Sequence, residues 1–150
     1  MDKQVGVSKE KMKAGINMFE HLLTKQAGAE YGDQSDCPLK HTFVPGMYIR
    51  EIHMPKGKRG TSKTHKVEHP YFIMKGVVDV VTEEGLVRIH APYFGITPAG
   101  TKRIVSIIED TTWITIHATT STNMEEIEMQ IIDGDNDKQI LESFNKEVTE

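Results

Sequence analysis

Between Gly46 and Ala118 the chain is a series of short β-forming stretches cut off by turn residues, with no long helical period among them. Met47 to Met54 reads as the first strand; Pro55, Lys56 and Gly57 turn the chain, and Pro70 to Met74 leads into the next. Past Gly76, Val77 to Thr82 and Leu86 to Ala91 flank Glu83-Glu84-Gly85 in the pattern of a hairpin. Tyr93 to Thr97 precedes Pro98-Ala99-Gly100, Arg103 to Ile108 reads as a strand, Glu109 to Thr111 as a turn, and Thr112 to Ala118 as the return. Strands this short and evenly spaced predict a mainly β fold, an antiparallel sandwich or small barrel.

The flanks differ in texture. Met12, Ile16, Phe19 and Leu23 recur at helical spacing, which predicts an amphipathic helix from Ser8, its cap, to about Ala27, ended by Gly28. One such helix cannot bury its own stripe, so it needs a surface on this domain or on a second copy. Gly28 to Pro45 reads as irregular loop. In Met124 to Ile132, acidic residues alternate with Ile127, Met129 and Ile131, which predicts a strand, and Ile140, Leu141, Phe144 and Val148 predict a short C-terminal helix. The expected layout is one structural domain, with a helix and lead-in over 1–45, the β-barrel over 46–132 and the C-terminal helix over 133–150.

Composition narrows the classes of function. A net charge of -4 argues against a general nucleic-acid binder, and the basic cluster of Lys56, Lys58, Arg59, Lys63 and Lys66 reads as a solvated loop. There is no apolar run long enough to span a bilayer and no secretory leader at Met1, so no membrane partner and a soluble, cytoplasmic protein are expected. Cys37, the single cysteine, cannot form an internal disulfide and has no neighbouring cation to activate it. Asp133, Asp135 and Asp137 imitate the start of a calcium loop, but Phe144 stands where its closing glutamate belongs.

The chemistry concentrates in Gly57 to Gly76. Lys63, His65, His69 and Tyr71 are separated by even steps, so on extended backbone they share one face. A polar face of that kind is the lining of a pocket, where a half-buried strand would turn apolar residues inward.

The same stretch resembles the first motif of the cupin superfamily, G-x5-H-x-H-x3-E-x6-G, with Gly57, Lys63, His65, His69 and Gly76 at its fixed positions. After fifteen residues, Pro92, Pro98, Gly100, Arg103 and Ile107 fall on the second motif, G-x5-P-x-G-x2-H-x3-N, and keep its P-x-G core. The resemblance covers roughly Gly46 to Ala118 and implies a jelly-roll β-barrel with its site inside. Small cupins of bacteriophages and environmental bacteria are similar in texture. The resemblance also implies a homo-oligomer, a dimer as the first expectation, located in the host cytoplasm or virion if the chain is phage-encoded.

Cupins that bind a metal ligate it from four positions, which here hold Lys63, His65, His69 and Arg103. Lysine and arginine are cations at neutral pH, so the usual four-ligand set is missing. Two readings stay open. His117 could join His65 and His69 as a three-histidine site for zinc, iron, nickel or copper, with Tyr71 or Glu51 moving protons. Alternatively, Lys63 and Arg103 make a metal-free pocket for a small anion, with Tyr71 as donor or stacking surface. A third possibility is a non-catalytic structural or virion-associated module whose site has decayed.

Overall fold

The computed structural model describes residues 8–25 and 37–133. Helix α1 spans Lys9–Thr24, and the Ser8 hydroxyl accepts from the Lys11 amide at its start. Ile16 is buried and Met12, Phe19 and Leu23 are partly so, as the helical spacing predicts. The stripe finds its surface within the chain, against β3 (Arg59–Thr61) and β4 (His69–Thr82). Ion pairs from Lys9 to Glu84 (2.6 Å), from Lys13 to Glu83 (3.1 Å) and from Lys102 to Glu20 flank the contact.

The other strands are β1 (Leu39–Val44), β2 (Met47–Met54), β5 (Gly85–His90), β6 (Tyr93–Thr97) and β7 (Ile104–Ala118), and every pairing is antiparallel. The strand order is β1-β2-β7-β4-β5, with β3 on β7 and β6 on β4. The two long strands, β4 and β7, pair with each other, and each carries two short partners in succession. One end of the barrel therefore has β1, β2 and β6, and the other β3 and β5.

Three expectations need correction. The lead-in before Pro45 contains a strand, β1, whose Val44 faces Met47 across a tight turn at Pro45-Gly46. The Pro-Gly pair that suggested a boundary is thus the tip of a hairpin, and the barrel begins at Leu39. Glu109 to Thr111 is no turn, because β7 runs straight through it, and the Thr111 hydroxyl donates to the Glu109 carbonyl (2.7 Å). Met124 to Ile131 is a helix, α2, where a strand is expected. Asn123 caps it by accepting from the Glu125 and Glu126 amides, and both glutamates favour the positive end of the helix dipole. Ile127 and Ile131, four apart, bury one face, while Met129, which the alternation placed with them, is 68% exposed. The helix expected from the apolar residues at 140–148 lies outside the described residues.

The strands expected at Pro70–Met74 and Val77–Thr82 are two parts of β4. His69, Tyr71 and Ile73 are buried before Gly76, and Val78 and Val80 after it, so the inward parity changes from odd to even. An added residue is what changes parity, and the pairing with β7 does shift register between Ile73 and Val78. Gly76, at φ +103°, sits in this irregularity. Below it lies an apolar core of Ile73, Val78, Val80, Ile89, Ile107 and Trp113. At the opposite end, Ile127 and Ile131 of α2 pack with Tyr48 in a second apolar cluster.

Candidate functional site

Between the two apolar clusters the barrel interior is polar, and the strand registers show how the residues come together. Leu39, Ile52, Trp113, Ile73 and Tyr93 form one row across β1, β2, β7, β4 and β6, buried at Trp113 and Ile73. Two residues along each strand the row is His41, Arg50, Thr115, Tyr71 and Gly95. Next come Phe43, Tyr48 and His117 on β1, β2 and β7, and His69 opposite Thr97 on β4 and β6. Side chains directly opposite each other on one face are in contact distance, so the change from apolar to cationic to imidazole follows from register alone.

His65 arrives from outside the sheet, on the segment joining β3 to β4. It pairs with Ile132 just after α2, while the Lys66 amide donates to the Ile131 carbonyl (2.7 Å) and the Asp133 amide to the Thr64 carbonyl (2.8 Å). The Gly100 amide donates to the His65 carbonyl (2.7 Å) from a turn in which Gly100 takes φ +83°. The second motif's P-x-G turn thereby fixes the segment that carries the first motif's histidine.

The three imidazoles stand side by side. Ring centroids are 4.5 Å apart for His65 and His69, 4.5 Å for His69 and His117, and 6.0 Å for His65 and His117. Burial, then the other two histidines and Arg103 and Arg50, push His65 down to about 3. Burial, then His69 and Arg50, push His117 down to about 4. His69 is also lowered by burial and Arg103, against a bond from its Nδ1–H to the Val67 carbonyl (3.0 Å). All three are neutral at pH 7. With Nδ1 of His69 donating, its Nε2 is left as an acceptor. Nε2 of His117 bonds the Thr115 hydroxyl (3.0 Å), and Nδ1 of His65 is buried without a partner.

Arg103 is only 8% exposed. Its guanidinium donates to the Thr97 hydroxyl (2.8 Å) and lies 4.9 Å above the centre of the Tyr71 ring, which in turn stacks on Trp113. Among the described residues no carboxylate pairs with it. Arg50, in the same inward row as Tyr71, is close enough to depress His65 and His117, and no hydrogen bond or ion pair engages it among the described residues.

Two residues expected at the site stand elsewhere. Lys63 is exposed and paired with Glu128 of α2, because residues 62–68 belong to neither strand and the even-step parity stops at Thr61. Glu51 alternates outward on β2, with its carboxylate 3.6 Å from Nε2 of His53. The neighbour that turns inward is Arg50, which sequence reasoning missed. The signal for it was present, since Arg50 shares parity with Tyr48, Ile52 and Met54.

No protein-family model and no curated protein matches the sequence. Solved structures do. The cupin domain of Schizosaccharomyces pombe Cnp3 superposes with a TM-score of 0.50 at 18% identity, over 67% of this chain and 75% of that one.

The chain has the cupin fold.

EutQ of Clostridium difficile (TM-score 0.49, 16% identity, 61% of this chain and 75% of that one) and an RmlC-like cupin from Methanocaldococcus jannaschii (0.48, 13%, 64% and 93%) are also similar. In the cupin barrel, three of the four positions that resemble the family's ligand set converge inside, as His65, His69 and Arg103, and the fourth, Lys63, turns out. Among the described residues no group of three or more His, Cys, Asp or Glu side chains is placed to hold an ion, and the Arg103 and Arg50 guanidiniums both act on His65.

Proposed function

We propose that the cupin barrel binds a small anion, with Arg103 as its anchor. The observation that carries this reading is the buried Arg103 guanidinium with no carboxylate partner among the described residues. A buried charge is ordinarily paired, because its lost hydration costs several kcal/mol. A bound carboxylate supplies that pairing and takes the donors the Thr97 hydroxyl leaves unused. Neutral His65 and His69 add hydrogen-bonding groups without adding charge, and Tyr71 holds the guanidinium from below through its ring face.

Thermal unfolding of the wild-type chain against a panel of small carboxylates, phosphate and divalent metals tests the reading. A carboxylate at about a hundred times its dissociation constant adds ~2.7 kcal/mol, which raises Tm by roughly 5–10 °C for a chain of this size. The Arg103→Gln variant should fold, by circular dichroism, and lose that rise. An anion effect that survives Arg103→Gln comes from the surface and contradicts the proposal. A rise with zinc alone supports the three-histidine alternative, and a flat panel supports the structural module.

A further inference from the structure

The second arginine sharpens the class of ligand. Arg50 and Arg103 come to the same part of the barrel from different elements, Arg50 from β2 in the row of Tyr71 and Arg103 from the residue preceding β7, its guanidinium over the Tyr71 ring. Both bear on His65, whose Nδ1 is buried without a partner, and neither has a carboxylate partner among the described residues. With the three histidines neutral, the chamber holds two positive charges against a whole-chain charge of -4. One monoanion leaves one of these cations unpaired.

Resting on the anion-binding reading, we infer that the ligand is a small dicarboxylate, held at one end by Arg103 and at the other by Arg50, with His65 Nδ1 meeting a polar atom of the ligand. Two separate guanidiniums suit two separate carboxylates, because each fork matches one planar group. The Arg50 and Tyr71 backbones stand two strand spacings apart, ~9–10 Å, and the Arg103 guanidinium overlies Tyr71, which gives the two cations different seats across the chamber. The stacked rings nearby, Tyr71 with Trp113 and Tyr48 with His117, lower the local polarity, in which both pairings are stronger.

Calorimetric titration of the full chain with succinate, acetate and inorganic phosphate tests this, using wild type, Arg50→Gln and Arg50→Lys. Succinate should bind about tenfold or more tighter than acetate, the gain from a second charge-assisted contact. Arg50→Gln should weaken succinate by more than it weakens acetate, so that the gain of succinate over acetate is cancelled, and Arg50→Lys should restore part of it. Equal affinities for succinate and acetate, indifferent to Arg50, overturn the dicarboxylate assignment while anion binding stands. Phosphate ahead of succinate also overturns it, in favour of one compact dianion. No binding of any of the three overturns the underlying reading as well.

Discussion

Acidification from pH 7 to pH 4 is expected to destabilise the protein steeply, starting before its carboxylates titrate. His65 is held at about 3 and His117 at about 4, and His69 is lowered too, each mainly by burial. In the unfolded chain these histidines return to about 6.5. Between those values the unfolded state binds protons that the native state refuses, so stability is full above about pH 6.5 and is lost as the pH falls toward the native values. Each such histidine contributes up to ~1.4 kcal/mol per pH unit, and two or three acting together remove several kcal/mol by pH 4, comparable with a typical total stability. Urea unfolding in zwitterionic buffers between pH 7 and pH 4 should show this as a fall in the midpoint, and His65→Gln should flatten the slope. A midpoint constant over that range would mean that the imidazoles are solvated or already charged.

A methyl group at Gly76 should be the most damaging small change in the barrel. A Cβ there would lie 2.4 Å from the Thr111 hydroxyl oxygen, 2.5 Å from the Asp110 carbonyl oxygen and 2.7 Å from the Thr111 Cα, and φ is +103°. Two of those three atoms are backbone, so relief requires β4 and β7 to part at the register shift that separates the polar chamber from the apolar core. Strain of the left-handed backbone alone costs ~1–3 kcal/mol, and the clash brings Gly76→Ala to ~4 kcal/mol or more. Gly57→Ala is the control, because Gly57 has φ +92° with nothing near the added carbon, and about 1 kcal/mol is expected. Chemical unfolding of both variants gives the comparison. Similar losses would show that backbone strain, and not close approach, sets the cost at Gly76.

How far the sequence was legible follows from which signals are local. Helix α1 and strands β2, β5 and β6 rest on period and turn residues, and these survive in the structure. The glycine and P-x-G frame led to the cupin fold because it marks places where the backbone itself is constrained. Helix α2 was misread because Met124 to Ile132 satisfies two periods at once; the deciding factor is tertiary, the seat that Tyr48 offers to Ile127 and Ile131. Glu109 to Thr111 carries turn residues, yet the irregularity it marks is absorbed opposite Gly76 as a register shift. At the site, parity placed His69 and Tyr71 correctly because they lie on one strand. It fails for Lys63, which lies beyond the end of a strand, and it holds for Arg50, which shares the parity of Tyr48 and Ile52 on β2. The meeting of His117 with His65 and His69 depends on β7 running beside β4, a long-range pairing that only the register shows. The lack of a carboxylate beside Arg103 has no sequence signature, since acidic residues abound in the chain.

The most direct test of the central claim is a side-chain nitrogen-15 spectrum of the labelled protein during titration with a small carboxylate at pH 7. The account predicts that the Arg103 guanidinium resonance moves and saturates with the anion, while the histidine nitrogens keep the signature of neutral imidazole. An Arg103 resonance that ignores every anion, together with His65, His69 and His117 nitrogens that shift on adding zinc, would contradict it.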